Sequence, residues 1–140
     1  MKPNTLRALA LTFVAAVALI APARRVAAQG YVVIVNSAGD ASLSKDDISK
    51  AFLKKGSSLV AVDQGKGAAV RDAFSKAVLG RPASAVATYW QQQIFAGKDV
   101  PPSEKGSDAD VIAFVKSNPK AIGYVSAGAD VSGVKAVSVQ

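Results

Sequence analysis

Four short apolar runs constrain this chain most: Tyr31–Val35 (YVVIV), Leu59–Val62 (LVAV), Ala121–Val125 (AIGYV) and Val134–Val139. They are too short for helices and rich in β-branched residues, so they read as strands, the first of them buried on both faces. The segments between them carry helix signals. Ser44 and Asp47 form a capping box, Leu43 and Ile48 a hydrophobic staple, and Ile48, Ala51 and Phe52 one apolar face that ends at Lys54-Lys55-Gly56. Val70, Ala73, Phe74, Ala77 and Val78 repeat at helical spacing up to Gly80. Pro82 opens a third helix, with Val86, Tyr89, Trp90 and Ile94 as its stripe and Gly97 at its end. Lys98–Gly106 reads as a loop stiffened by Pro101-Pro102. Ser107 and Asp110 repeat the capping box before Val111, Phe114 and Val115, and Asn118-Pro119 stops that helix. The order β-α-β-α-α-α-β-β predicts an α/β fold: a mixed sheet of about four strands, flanked by helices and parallel in part.

The first 28 residues have a different character. Lys2 and Arg7 precede the uninterrupted apolar run Ala8–Ala21, Pro22 breaks it, and Val26-Ala27-Ala28 offers the small residues a signal peptidase reads. This predicts a signal peptide over residues 1–28, cleavage before Gln29 and an exported domain over residues 29–140. The fourteen-residue run falls short of the ~20 residues a spanning helix needs. No membrane span is expected after cleavage, and the localisation implied is periplasmic or secreted. Lys2, Arg7, Arg24 and Arg25 account for four of the 17 basic residues. That leaves 13 against 10 acidic, a net charge of +3, in the mature part. The basic character is therefore largely that of the leader, and a nucleic-acid partner loses its support.

The chain has neither cysteine nor histidine. Thiolate chemistry, cysteine or histidine metal sites and serine–histidine catalysis are excluded, so no metal, cofactor or catalytic residue is expected and the reading is non-enzymatic. The carboxylates Asp46, Asp47, Asp108 and Asp110 all sit in first helical turns, where they compensate the helix dipole. Asp63–Phe74 (DQGKGAAVRDAF) is the one stretch with binding character. It places two glycines and small residues between a strand and a helix, where free backbone N–H groups and the positive helix end favour an anion. Gly65, Lys66, Gly67, Ala68, Ala69 and Arg71 are the candidate ligand-binding residues; the alternative is that Gly65 and Gly67 simply permit the turn between strand and helix. Backbone N–H groups of Gly67–Ala69 would supply donors, and Lys66 and Arg71 charge. Arg71 in a first turn opposes the dipole, so it is expected to have a partner: an anion, Asp63 or Asp72.

LSKDDISKAFLKK (43–55), VRDAF (70–74), YWQQQIFAGKDVPP (89–102) and AIGYV (121–125) occur in the order and spacing of one lobe of the phosphate-binding receptors of bacterial ABC importers. The chain resembles that family over nearly all of Tyr31–Val139. The resemblance implies a type II periplasmic-binding-protein fold in a single-lobe short form, export, recognition of a phosphate-like anion, and an ABC permease as partner. It also exposes departures. Gln64 stands where the receptors carry an arginine, and Ala68, Ala69 and Val70 where they carry serine, glycine and threonine. Two hydroxyl donors and one guanidinium are thereby lost, although Arg71 and Phe74 match. Three expectations follow: weak binding of a small anion, a homodimer that rebuilds a cleft from two such loops, or an accessory module that kept the fold and engages an envelope protein instead.

Overall fold

A computed structural model describes residues 30–140. The leader expected over residues 1–28 lies outside them. The main sheet has five strands in the order β4-β3-β5-β1-β6. They are β1 Tyr31–Asn36, β3 Val60–Gln64, β4 Ser103–Lys105, β5 Ala121–Ser126 and β6 Val134–Ala136. β3 runs parallel to both β4 and β5, whereas β1 pairs antiparallel with β5 and β6. A separate two-stranded ribbon joins β2 (Ser42–Leu43) to β7 (Ser138–Val139). The helices are α1 Lys45–Phe52, α2 Ala69–Phe74, α3 Ala83–Phe95 and α4 Asp108–Ser117.

The unbroken apolar pattern of β1 now has its cause. Tyr31, Val33 and Val35 pack with Ile48 and Phe52 of α1 and Phe74 of α2 on one face. Val32 and Ile34 pack with Val111, Ile112 and Val115 of α4 on the other. A strand covered on both faces has no solvated side to mark with polar residues. Ser44 accepts from the Asp47 N–H while Asp47 accepts from the Ser44 N–H, which completes the capping box of α1. At the head of α4 the box is one-sided: Ser107 accepts from the Asp110 N–H, but the Asp110 carboxylate does not return a bond to the Ser107 N–H.

The sheet holds one strand more than the expected four, and the loop over Lys98–Gly106 contains it. β4 reads SEK and is largely exposed, so it carries no apolar period. It exists because β3 offers it an unpaired edge. Val134–Val139 divides into β6 and β7, which belong to different sheets, with Val137 buried between them. After Phe74 the α2 helix widens into a single π turn over Ser75–Leu79, which closes on Gly80 at φ 70°. The apolar stripe expected of α3 is buried only at Val86 and Trp90, with Tyr89 half-buried. Ile94 stands 52% exposed and Phe95 98%.

Candidate functional site

Because β3, β4 and β5 run parallel, their carboxyl ends share one edge of the sheet. In open α/β sheets ligands bind outside that edge. Gln64 ends β3 there, the loop Gly65–Ala68 follows, and α2 begins at Ala69. Gly67 takes φ 86°, a left-handed value that a side chain would strain, and turns the chain into the helix. The Ala68 N–H donates back to the Gly65 carbonyl at 3.2 Å, and the Arg71 N–H to the Ala68 carbonyl at 3.1 Å. Ala68 is the N-cap and has no side-chain acceptor to offer. The N–H groups of Gly67, Ala69 and Val70 are left without an acceptor among the described residues. Of the expected backbone donors, then, Ala68 is consumed by the turn.

Arg71 has the partners that its placement required. It is 6% exposed, and its guanidinium donates to the Gln64 carbonyl at 3.0 Å and to Glu104 of β4 at 3.1 Å, and lies 3.3 Å from Asp63. Asp72, the other carboxylate expected to compete for it, instead pairs with Lys76 at 2.7 Å and accepts from the Ala83 N–H at 3.1 Å. Asp63 sits in the parallel register opposite Glu104, which is why both carboxylates reach one guanidinium.

Asp63 is held from below as well. The Tyr124 hydroxyl of β5 donates to its Oδ1, and the Gln64 N–H donates to the same oxygen at 2.8 Å. Burial pushes the Asp63 carboxyl above the usual carboxylate range, although the Tyr124 bond and the Arg71 charge oppose the shift. Burial and the neighbouring Asp63 charge raise the Tyr124 phenol beyond its ordinary value, so it stays a neutral donor. Gln64 turns inward: its amide donates to Asp108 at 2.8 Å and to the Tyr124 carbonyl at 3.1 Å. Asp108 also accepts from the Ser126 N–H at 3.1 Å, so it ties the head of α4 to the ends of β3 and β5.

Above this network lies a small open recess of about 200 Å3, lined by Lys66, Gly67, Arg71, Ala83, Ser84 and Ala87. The loop and the start of α3 therefore meet at one place. Gly67, Lys66 and Arg71 of the candidate residues border the recess directly, whereas Gly65, Ala68 and Ala69 shape the turn beside it. Lys66 is exposed and forms no ion pair among the described residues. Sequence reasoning missed Glu104 and Ser84. Glu104 lay in a segment read as a loop, and Ser84 is brought in only by the placement of α3. A larger recess of about 480 Å3 sits by Val60 and Ala61, at the amino end of β3 and away from the edge where ligands bind. Its Lys54 is committed to Asp99 at 3.4 Å. Among the described residues no cluster of carboxylates forms a metal site, and no helix is long and apolar enough to cross a membrane.

No protein-family model and no curated protein matches the chain. Solved structures do. An ABC-type phosphate transport receptor from Vibrio cholerae aligns with TM-score 0.57 and 16% identity, over 79% of this chain and 46% of that one. A putative phosphate ABC transporter substrate-binding protein from Clostridium perfringens, with bound phosphate, gives 0.58 and 23% over 79% and 44%. PstS from Borrelia burgdorferi gives 0.59 and 13% over 79% and 47%. At these identities the likeness is one of fold. The chain spans less than half the length of the structures it matches, and its fold is that of one lobe of a phosphate ABC-transporter substrate-binding protein.

Proposed function

We propose that this is an exported, non-enzymatic solute-binding domain that takes a small oxyanion such as phosphate, weakly, in the recess beside Gly67. The observation that carries the reading is the convergence of three features there: the Lys66 ammonium, which forms no ion pair among the described residues, the unpaired N–H group of Gly67, and a volume of about 200 Å3. That volume lies below the roughly 300–1,000 Å3 of drug-sized ligand sites and suits an inorganic anion. The fold shared with phosphate receptors supports the same ligand class. Export rests on the basic start and apolar run of residues 1–28. Weakness follows from the side chains. Ala68, Ala69 and Val70 bring no hydroxyl, Gln64 brings no charge, and Arg71 is already held by two carboxylates. Charge-assisted bonds contribute about 1.5–3 kcal/mol each, so an affinity in the roughly millimolar range is expected. Titration calorimetry of residues 29–140 with phosphate tests this. Heat that saturates at millimolar phosphate and disappears in Lys66→Ala is the expected result. No heat at millimolar phosphate removes the reading.

A second reading is an accessory envelope module that binds protein. One observation favours it: Phe95 is 98% exposed beside Ile94 at 52%, with Val100 at 58% close by in the chain. An aromatic that solvated at the end of a helix is costly unless covered. If this reading holds, Phe95→Asp abolishes the recovery of a partner from envelope extracts.

A further inference from the structure

The two carboxylates on Arg71 differ in how they are held. Asp63 has a side chain 11% exposed and is fixed by the Tyr124 hydroxyl and the Gln64 N–H as well as by Arg71. Glu104 has a side chain 36% exposed, its side chain bonds only Arg71 among the described residues, at 3.1 Å, and it rides on β4, a three-residue strand at the edge of the sheet. Asp63 is part of the buried frame, whereas Glu104 reaches in from the solvent side. The pair leaves one guanidinium facing two carboxylates, a surplus of negative charge next to the recess that Arg71 lines.

We infer that Glu104 is a built-in competitor for the anion: its carboxylate occupies the guanidinium of Arg71, a residue that borders the recess, and an oxyanion in the recess gains that guanidinium only by displacing Glu104. The inference rests on the anion reading of that recess. A carboxylate and a phosphate oxygen make the same charge-assisted bond to a guanidinium, so the two compete for the same N–H groups. Glu104 also repels any anion near Arg71, and more strongly than it would in bulk water, because the surroundings of Arg71 are largely dry. The lost donors of the loop are one cause of weak binding, and Glu104 is a second, separable one. It makes the site selective as well. A monoanion gains little by exchanging one negative partner of Arg71 for another, whereas a dianion that also reaches Lys66 gains a second cation.

The test is calorimetric titration of inorganic phosphate into residues 29–140 carrying Glu104→Gln, which keeps the shape and removes the charge. Phosphate binding is expected to tighten at least tenfold over the unsubstituted chain. Asp46→Asn removes one negative charge on α1, where Asp46 pairs with Lys50, and is expected to change affinity less than twofold. Circular dichroism and a thermal melt establish that both variants are folded. Glu104→Ala serves as the second variant should the amide fail to fold. Equal or weaker binding by a folded Glu104 variant overturns the inference and leaves the function proposed above standing if the unsubstituted chain binds. Binding by the variant alone removes receptor function from the native chain and supports the competitor. Absence of binding in both overturns both, and an equal gain in Asp46→Asn reduces the effect to net charge and overturns the inference.

Discussion

Replacing Arg71 with methionine asks how much of the fold depends on one buried cation. The substitution preserves most of the aliphatic stem and removes the guanidinium. Asp63 is then left 8% exposed with only the Tyr124 hydroxyl and the Gln64 N–H as donors, and the Gln64 carbonyl loses its partner. Removing one member of a buried ion pair costs about 3–5 kcal/mol because the other charge stays behind. A domain of this size has about 5–15 kcal/mol in total, so the variant should remain folded but marginal. The loss must also depend on pH. Asp63 already titrates above the usual carboxylate range in the folded state, and removing the Arg71 charge raises it further. A carboxyl with a raised folded pKa binds its proton more readily folded than unfolded, so stability falls as pH rises through that window. The deficit of the variant is therefore full at pH 7.5. It should shrink at pH 4.5, where the stranded carboxyl of the variant is more fully protonated. The exposed carboxyls Asp47, Asp72, Asp99 and Asp130 are lowered instead, and their contribution is lost only as pH falls below about 4, so pH 4.5 keeps them out of the comparison. Urea unfolding followed by the fluorescence of Trp90, the chain's one tryptophan and buried, measures both values. A loss that is equal at the two pH values would show that packing, not the stranded Asp63 charge, is what Arg71 supplies. A loss under ~1 kcal/mol would refute the dependence altogether. Adding Asp63→Asn to the variant should abolish the pH dependence.

Two further outcomes test the frame around the site. In Gly123→Ala the new Cβ would lie 2.8 Å from methyl groups of both Val62 and Val111, which are stiff β-branched side chains in the core under α4. A destabilisation of about 1–3 kcal/mol is expected in urea unfolding, relieved in part by Val111→Ala; no loss would mean that α4 rides freely on β5. The Asn36 amide donates to the carbonyls of Val115 and Lys116 at 2.9 and 3.0 Å, so it caps the end of α4 from a different strand. Asn36→Ala should cost about 1–3 kcal/mol and raise amide hydrogen exchange selectively in the last turn of α4.

The sequence by itself determined the elements whose signals are local. Tyr31–Val35 of β1 shows no alternation of polar and apolar positions because it is covered on both faces. α1 announces itself through Ser44, Asp47 and Ile48, and the turn after β3 through Gly67. These features depend on residues within a few positions of one another, so a linear reading reaches them, and the resemblance to one receptor lobe rests on the same segments. The placement of the loop at the carboxyl edge of the sheet followed from its position between a strand and a helix. What the tertiary structure decided is the charge of that site. Arg71 required a partner, but the choice of Asp63 and Glu104 over Asp72 depends on the parallel register that sets Glu104 of β4 beside Asp63 of β3, 41 residues apart in the chain. β4 itself, reading SEK, was invisible because an edge strand forms by pairing rather than by burying a patterned face. Gln64 and Asp108 read as a lost ligand and a helix cap, and became a bridge between β3, β5 and α4 only when those ends met. Side-chain propensities act over a few residues and survive in the sequence. The balance of charge around a buried guanidinium is set by which strands become neighbours, and only the folded chain specifies that.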